Sequence, residues 1–368
     1  MEILRLARLG GFWDEVEPAR FPACVLRFRN DRHASRVGLG GLDDAAWARH
    51  FHAFDPLPAN LSKPLAMRYH GHQFGVYNPN LGDGRGFLFA QVRDDLGRLL
   101  DLGTKGSGQT PWSRLGDGRL TLKGGVREVL ATEMLEALGV YTSKSFSLYE
   151  TGESLMRGDE PSPTRSSVLV RLSHGHIRFG NFQRFAWLRE EARSEALLEY
   201  AIDVFYPWLG GASERTAAFL EEVCHRSARL AAAWMAAGFV HGVLNTDNMN
   251  VTGESFDYGP WRFLPHYDPG FTAAYFDETG RYAYGRQPEA VRWNLQRLAD
   301  ALAPLATRDS LDRALARYDD AFTKALHEAV CARLGVVPRG HDEDEALIES
   351  LYAALGATRV LPDRVFFH

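Results

Sequence analysis

The sequence predicts an α+β fold of two lobes, with a sheet lobe over residues 1–188 and a mostly helical lobe over residues 189–368. Short apolar runs separated by Gly/Asp turns dominate the first lobe, which is typical of antiparallel strands. Apolar residues at helical spacing dominate the second lobe. Strands and helices segregated along the chain in this way predict an α+β protein rather than an alternating α/β one.

The strands of the first lobe are predicted from its turn pattern. Residues 74–102 alternate apolar runs with Gly- and Asp-rich turns, which predicts an antiparallel hairpin. Further short strands are expected at residues 144–150 and 166–172, where β-branched and apolar residues cluster.

One prominent helix is predicted in the first lobe, over residues 122–138. Val126, Leu130 and Met134 recur at a spacing of four, which indicates an amphipathic helix with these side chains on its apolar face. Gly139 follows directly and is suited to end the helix.

The second lobe is predicted to be helical on both sides of one irregular segment. Residues 239–265, which hold two acidic motifs, are expected to form loops and short strands. The lobe boundary is expected near residues 185–195. Helical periodicity predicts helices over residues 194–209, 215–238, 288–303 and 310–334.

Composition and charge disfavour several classes of protein. The formal net charge of −5 gives no reason to expect nucleic acid or an anionic membrane as a partner. Cys24, Cys224 and Cys331 lie outside any CxxC pair, which predicts buried thiols in a reducing compartment. The N-terminal segment lacks the apolar core of a secretory signal, and the longest apolar stretch, residues 230–240, is too short to span a bilayer. We therefore expect a cytoplasmic protein.

A loop in the second lobe has the order of polar residues found in a protein-kinase active site. On the pattern H-R-D-L-x-x-x-N followed by D-F-G, His241 and Asn248 fall in register and Asp257 begins Asp-Tyr-Gly. Val243 takes the place of the catalytic aspartate, and Asp247 supplies a carboxylate one residue before Asn248. Asp247 is the candidate general base, and Asn248 and Asp257 are hard oxygen ligands suited to Mg²⁺ or Mn²⁺. The alternative is an Asx-rich turn capped by its own side chains.

The first lobe supplies the other parts of a nucleotide site in kinase order. Gly82 and Gly84 would let backbone N–H groups approach an anion, and Arg85 would add a charge-assisted contact. Lys105 ends the next predicted strand and Glu128 lies on the predicted helix, as in the lysine–glutamate pair that holds ATP phosphates in kinases. The alternatives are a tight Asp-Gly turn, a solvated lysine and a glutamate on a helix surface.

Two arginines extend this pattern beyond a kinase. Arg171 and Arg178 follow in a strand-like segment and the loop after it, where guanidinium groups beside Lys105 would clamp a terminal phosphate. Such a clamp would anchor the far end of ATP, so that this end would not leave with the acceptor. Both arginines are equally well explained as surface charges.

Histidines occur in three H-x-H pairs, a spacing that can hold a transition metal on a strand. No third ligand accompanies any pair, so packed or surface histidines are favoured over metal ligands. The pairs are His50/His52, His70/His72 and His174/His176.

Seven motifs together resemble the selenoprotein O family over nearly the whole chain, from about residue 8 to residue 305. They are Tyr69-His-Gly-His-Gln-Phe-Gly75, Asn80-Leu-Gly-Asp-Gly-Arg85, Lys105-Gly-Ser-Gly-Gln-Thr-Pro-Trp-Ser-Arg114, Gly116-Asp-Gly-Arg119, His176-Ile-Arg-Phe-Gly180, His241-Gly-Val-Leu-Asn-Thr-Asp-Asn-Met249 and Asp257-Tyr-Gly-Pro260.

The resemblance implies a protein-kinase-like, two-lobed pseudokinase fold that binds ATP in a reversed orientation. It also implies transfer of AMP to Ser, Thr or Tyr hydroxyls of proteins, with Mg²⁺ or Mn²⁺. Asp247 matches the proton acceptor, Glu128 the acid paired with the lysine, and Asn248 and Asp257 the metal ligands. The matching ATP-binding positions are Gly82, Gly84, Arg85, Lys105, Asp117, Gly118, Arg171, Arg178 and, again, Asp257.

Three alternatives to AMP transfer remain open from the sequence: a phosphoryl-transferring protein kinase, transfer of UMP from UTP, and an inactive nucleotide-binding scaffold. The resemblance also implies a further C-terminal segment beyond residues 365–368, often ending near a redox-active selenocysteine or cysteine. No cysteine follows Cys331 in this sequence, so thiol-based regulation of that kind is not expected.

Overall fold

A computed structural model describes residues 5–367, and its strands lie almost entirely in the first half of the chain. The strands are β1 Trp13–Glu15, β2 Val25–Arg29, β3 Leu65–Gln73, β4 Val76–Gly82, β5 Leu88–Arg93, β6 Leu99–Lys105, β7 Leu120–Thr121, β8 Lys144–Leu155, β9 Thr164–Ser173, β10 Phe239–Val240 and β11 Arg262–Phe263.

The first nine strands form one antiparallel sheet in the order β1-β3-β5-β6-β9-β8-β2. β4 pairs with β3 and β7 pairs with β9 beside this path. The predicted hairpin is confirmed as β5–β6, in which Gln91 faces Asp101, and the two further predicted strands are confirmed as β8 and β9. β10 and β11 form a separate small ribbon within the segment predicted to hold loops and short strands.

Most helices follow the sheet, and they confirm the predicted helical second lobe. The helices are α1 Asp31–Arg36, α2 Asp44–Phe51, α3 Leu122–Ala137, α4 Phe179–Leu188, α5 Glu191–Phe205, α6 Arg215–Ala236, α7 Gln287–Leu302, α8 Arg308–Leu315, α9 Arg317–Leu334, α10 His341–Thr358 and α11 Pro362–Phe367. The segment 310–334, predicted as one helix, is divided into α8 and α9 at Ala316. We propose the boundary between the lobes at residue 188, where α4 ends.

The larger hydrophobic core joins the sheet to the helices. Leu65 of β3, Phe182 of α4, Trp234 of α6 and Leu295 of α7 all belong to it and are buried. Because α4 packs against both β3 and α7, it connects the two lobes. Residues at the start of α4 therefore lie between the lobes.

Two adjacent residues of β5 belong to different cores, because the strand is buried on both faces. Leu88 lies in the larger core, whereas Phe89 lies in a second core with Trp47 and Phe51 of α2 and Phe146 of β8. Trp47 stacks on Phe146 with ring centroids 5.1 Å apart. The central strands are therefore held from both sides.

The predicted helix at residues 122–138 is confirmed as α3, with well-defined ends. The Thr121 hydroxyl accepts a hydrogen bond from Gly124 N at 3.0 Å, which caps the first turn. Gly139 follows the helix with a φ of +78°, a conformation that glycine adopts without strain.

The predicted apolar face of α3 is wrong. Val126, Leu130 and Met134 are 42%, 49% and 42% exposed, and the helix turns the opposite side to β8 and β9. A Cβ atom added at Gly125 would lie 2.5 Å from Leu148 Cδ1, so only small residues allow this close approach. Most of the buried residues of α3 are small or polar, with Leu135 as the exception, and hydrophobicity did not reveal them. The buried residues are Gly125, Glu128, Ala131, Thr132 and Leu135.

Among residues 5–367, no helix has both the length and the apolar character needed to cross a membrane. The described cysteines are all free thiols, and Cys24 is exposed, contrary to the expectation that all three are buried.

Candidate active site

A buried lysine–glutamate pair links the sheet to α3. Lys105, the last residue of β6, forms an ion pair with Glu128 of α3. Lys105 is 6% exposed and Glu128 is 1% exposed. The close packing of α3 at Gly125 brings the glutamate within reach of the strand. Together with the two lobes, this pair confirms the predicted protein-kinase-like fold.

Three cations converge on the carboxylate of Asp257. Lys105 Nζ lies 2.8 Å from Oδ1, Arg171 Nη1 lies 3.3 Å from Oδ1, and Arg178 Nη1 lies 3.3 Å from Oδ2. Burial by itself would raise the pKa of Asp257, but the three positive charges outweigh it and hold the pKa well below its usual range. The carboxylate is therefore ionised, and the three cations share it.

The two arginines are positioned by neighbouring strands and by the start of α4. Arg171 lies on β9 opposite Gly103 of β6, two residues before Lys105. Arg178 directly precedes α4, and its backbone N–H donates to Asn181 Oδ1 at 2.7 Å. The Nε atoms of both arginines are buried and have no hydrogen-bond partner within residues 5–367. They are donors suited to an anionic ligand.

Arg178 also connects Asp257 to two other parts of the site. Its Nη1 donates to the Asp247 carbonyl oxygen at 2.7 Å, and its Nη2 lies 3.4 Å from Asp83 Oδ1. The guanidinium group lies 4.5 Å from the ring centroid of Tyr69, a cation–π distance. Burial favours the neutral guanidinium, but Tyr69 and the surrounding carboxylates raise the pKa of Arg178 above its usual value.

A cavity of about 660 Å³ opens in front of these cations. It is large enough for a nucleotide-sized ligand. The predicted site residues that line it are Gly82, Gly84, Arg85, Lys105, Asp117, Gly118, Arg171, Arg178 and Asp257. Glu128, Asp247 and Asn248 are not part of this lining.

Two glycines of the cavity lining lie where a side chain would clash. A Cβ atom at Gly82 would lie 2.3 Å from Trp112 Cγ. One at Gly118, whose φ is +69°, would lie 2.2 Å from the backbone of Gly108. A side chain at Gly82 would push the end of β4 away from Trp112, and one at Gly118 would push apart two parts of the loop between β6 and β7.

At the rim of the cavity, one charged side chain has an ion-pair partner and another has none in the described part of the chain. Asp117 is exposed and pairs with Arg157 at 2.8 Å. Arg85 is exposed at the rim, and no carboxylate of residues 5–367 pairs with its side chain. Arg85 therefore adds positive charge at the rim of the cavity.

Asp247 is buried beside the hairpin formed by β3 and β4. Its Oδ2 accepts a long hydrogen bond of 3.4 Å from Gln73 Nε2, and its Oδ1 has no partner in the described part of the chain. Burial raises the pKa of Asp247 to about 6, although the charge of Arg178 opposes this. A carboxylate with a pKa near neutrality and a free oxygen is suited to accept a proton from a hydroxyl.

The residues near Asp247 and Asp257 suit a hard divalent cation. Asn248 Nδ2 donates to the Val243 carbonyl oxygen at 3.0 Å, so the amide oxygen of Asn248 is the atom that remains for a cation. Asp257 is ionised, so its carboxylate supplies a second hard oxygen donor. Within residues 5–367 there is no group of three or more His, Cys, Asp or Glu side chains placed to hold a metal. Such a site suits Mg²⁺ held by few protein ligands together with phosphate oxygens.

His241 holds the segment that precedes Asp257. Its Nε2 donates to the Phe256 carbonyl oxygen at 3.1 Å, and its backbone N–H donates to Gln287 Oε1 at 2.9 Å. Asp257 itself has a φ of +64°, an uncommon conformation for a residue with a side chain. These contacts orient its carboxylate toward the cations, which accounts for the kinase-like spacing of His241 and Asp257.

Sequence reasoning missed Asp83, Gln73 and Tyr69 as contributors to this site. Asp83 is 9% exposed and lines the cavity. In addition to its contact with Arg178, its carboxylate accepts a hydrogen bond from the backbone N–H of Met67 at 3.1 Å. Its place between two glycines was the available signal, but Asp-Gly is also an ordinary turn dipeptide.

The paired histidines are explained by hydrogen bonds within the fold. His70 Nδ1 contacts the Tyr77 hydroxyl at 2.8 Å, and His174 Nδ1 contacts the Tyr141 hydroxyl at 2.6 Å. His176 Nδ1 lies 3.1 Å from Asp101. These contacts support the interpretation of packed histidines.

Comparison with known proteins places these features in a family. The family model described as "Protein adenylyltransferase SelO" matches residues 4–368. A protein named protein nucleotidyltransferase YdiU from Synechocystis is 52% identical over 88% of this chain and 68% of its own length. Relatives of the same name from Gloeobacter violaceus and Trichormus variabilis are 55% and 48% identical, over 88% and 97% of this chain and 67% and 73% of their own lengths.

A solved structure titled as ROP2 from Toxoplasma gondii, a virulence factor with a protein-kinase fold and no enzymatic activity, covers 89% of this chain and 93% of that chain. Its TM-score of 0.34 and identity of 11% are too low to carry an argument. The sequence relatives are far closer, and the match to the family model spans nearly the whole chain. The chain therefore belongs to the SelO family, whose model is described as protein adenylyltransferase.

Proposed function

We propose that the protein transfers AMP from ATP to Ser, Thr or Tyr hydroxyls of other proteins and releases pyrophosphate. Membership of the family makes the chain a protein nucleotidyltransferase. The finer proposal rests on one observation: Lys105, Arg171 and Arg178 meet around Asp257 at the cavity wall. Cations gathered there suit the triphosphate tail of ATP, and they would stabilise the charge of pyrophosphate as it leaves.

The reaction then follows from the positions of the base and the cations. The acceptor hydroxyl oxygen forms a bond to the α-phosphorus, while the bond from that phosphorus to the bridging oxygen of the β-phosphate breaks. The electron pair leaves with pyrophosphate toward Arg171 and Arg178, and the hydroxyl proton passes to Asp247. General base catalysis of this kind contributes about 10²–10⁴ in rate.

Asn248 and Asp257 would hold Mg²⁺ or Mn²⁺, which supplies charge stabilisation at the phosphates when bound. Glu128 keeps the Lys105 ammonium group in the cavity wall. Gly82, Gly84 and Gly118 keep the backbone close to the nucleotide, with Arg85 and Asp117 at the rim.

The experiment compares ATP labelled at the α-phosphate with ATP labelled at the γ-phosphate, with Mg²⁺ or Mn²⁺ and a mixed protein acceptor. We expect protein-bound label from the α-phosphate only. Label from γ alone would establish a kinase, and label from neither would establish a scaffold. A parallel reaction with α-labelled UTP measures UMP transfer.

Two variants connect the result to the site. We expect Asp257→Ala to abolish metal-dependent transfer, whereas Asp320→Ala, at an exposed position of α9, retains it. Full activity of Asp257→Ala would contradict the metal assignment.

We also expect that Val243→Asp does not create γ-phosphate transfer, because the cations and not the missing aspartate determine which phosphorus is attacked.

A further inference from the structure

The tip of the β3–β4 hairpin is fixed to the segment that carries Asp247. The backbone N–H of His72 donates to Thr246 Oγ1 at 2.7 Å, and that of Phe74 donates to Asn245 Oδ1 at 3.0 Å. A Cβ atom at Gly71 would lie 2.9 Å from Asp247 Oδ1. The hairpin therefore forms one wall around the Asp247 side chain.

The surface around this hairpin tip exposes large apolar side chains. Val76 is 71% exposed, Tyr275 is 84% exposed and Phe276 is 48% exposed. Phe74 packs against Phe276 with ring centroids 5.8 Å apart, and Phe276 packs against Tyr275 at 5.1 Å. We call Phe74, Val76, Tyr275 and Phe276 the hairpin patch. Clustered apolar exposure of this kind is typical of interaction sites.

An arginine without a carboxylate partner borders the hairpin patch. A Cβ atom at Gly75 would lie 3.3 Å from Arg281 Nη1, and the Arg281 guanidinium lies 4.7 Å from the ring centroid of Trp293. Within residues 5–367 no carboxylate forms an ion pair with Arg281, and its buried Nε has no hydrogen-bond partner. The nearby carboxylate of Asp277 is turned inward and accepts the backbone N–H groups of Arg281 and Tyr282. An acidic group of a partner would complement Arg281.

Access to Asp247 favours an acceptor on this side. The cavity that suits the nucleotide is lined by Arg171, Arg178 and Asp257 but not by Asp247. Asp247 is held between Arg178, which contacts its carbonyl oxygen, and Gln73 of the hairpin. A chain that lies along the hairpin tip is therefore next to the segment that carries Asp247.

We propose that the hairpin patch and Arg281 dock the acceptor protein, as a segment with an apolar side chain and an acidic side chain close to the modified hydroxyl. This inference rests on the proposed function and adds to it the chemistry of the acceptor. The apolar side chain packs on Tyr275 and Phe276, and the acidic side chain pairs with Arg281.

The test measures docking without catalysis. A short fluorescent peptide with one Tyr flanked by Leu and Asp is titrated with the protein in the absence of ATP. In the matched peptide, Ser replaces Leu and Lys replaces Asp. We expect the first peptide to bind more tightly than the second. Tyr275→Ser and Phe276→Ser should each weaken binding of the first peptide by about tenfold, the size expected for a buried aromatic contact.

Control variants are Trp208→Ser and Val337→Ser, which remove side chains 59% and 82% exposed outside the hairpin patch. They should leave peptide binding unchanged. ATP binding should be unchanged in all four variants, and in transfer assays the patch variants should raise the KM for the peptide with little change in kcat.

Equal binding of the two peptides, or unchanged binding by the patch variants, would overturn the docking proposal. So would a concentration-dependent dimer that Tyr275→Ser abolishes, because a second copy would then occupy the patch. Selective peptide binding without transfer of α-label by the wild-type protein would instead overturn the proposed function alone.

Discussion

At the scale of single residues, Asp247 combines deep burial with an oxygen that lacks a hydrogen-bond partner among residues 5–367. Its pKa is about 6 in the fold and 3.8 for the ordinary side chain, so the folded chain binds this proton more tightly than the unfolded chain. The protonated Asp247 carboxyl therefore makes its full contribution to the free energy of unfolding below about pH 4, and this contribution is lost as the pH rises through 6. At about 1.4 kcal/mol for each pH unit between the two pKa values, the loss is roughly 3 kcal/mol.

Asp247→Asn should therefore stabilise the protein while it abolishes transfer. In the absence of metal and nucleotide, we expect a higher melting temperature than wild type at pH 8 and a much smaller difference at pH 4, where the wild-type carboxyl is protonated. Thermal unfolding at both pH values measures this, with Asp320→Asn as the exposed control. An equal or opposite effect at the two pH values would show that the carboxylate is not destabilising.

Asp83 should act as a positioning residue through Arg178. Its Oδ1 is 3.4 Å from Arg178 Nη2, and its backbone carbonyl accepts the Thr110 hydroxyl at 2.6 Å. Asp83→Asn keeps the shape but removes the charge that orients the guanidinium. We expect kcat/KM for ATP to fall about tenfold through a higher KM, with kcat little changed. A tenfold fall corresponds to roughly 1.4 kcal/mol of ATP binding free energy, which is lost because Arg178 is no longer held in place. Steady-state kinetics at several ATP concentrations test this, and an unchanged KM would exclude the positioning role.

At the scale of elements, α3 shows what periodicity does and does not determine. The bounds of the helix followed from its apolar spacing and from Gly139. The buried face did not, because α3 approaches β8 and β9 through Gly125, Ala131 and Thr132, which have small side chains. A hydrophobic pattern identifies the core only where large apolar side chains fill the space between elements.

Two truncations on α3 test the corrected face. Leu135 is fully buried, so Leu135→Ala should lower the free energy of unfolding by about 2–5 kcal/mol. Leu130 is 49% exposed, so Leu130→Ala should change it by less than about 1 kcal/mol. Urea unfolding of the two variants provides the comparison. Equal destabilisation would mean that the stripe formed by Val126, Leu130 and Met134 is packed in solution.

Strands early in the chain were harder to predict than the hairpin. β3 contains Arg68, His70, Gly71 and His72 in nine residues, so it lacks the apolar alternation that identified β5 and β6. His70 is buried and His72 is partly buried, and α4 supplies hydrogen-bond partners, as Gln183 does for His72. Partners distant in sequence cannot be read from a local pattern.

At the scale of the whole molecule, the site combines residues from β6, α3, β9, the start of α4 and the loop before β11. The sequence predicted Lys105, Glu128, Arg171, Arg178 and Asp257 because their order follows a known constellation. It did not predict that three of them would share the Asp257 carboxylate, because that depends on how the sheet register and α4 bring separate segments together. The alternative interpretation of Arg171 and Arg178 as surface residues is excluded, since both side chains are buried.

The central claim is that the triphosphate tail lies against the buried cations and the adenosine lies toward the rim. The crystal structure of the protein with Mg²⁺ and a non-hydrolysable ATP analogue tests it most directly. We expect the γ-phosphate within hydrogen-bond distance of Arg171 and Arg178, and the purine near Asp117 and Arg85. A purine beside Lys105 and Arg178, with the phosphates toward Asp117, would contradict the account.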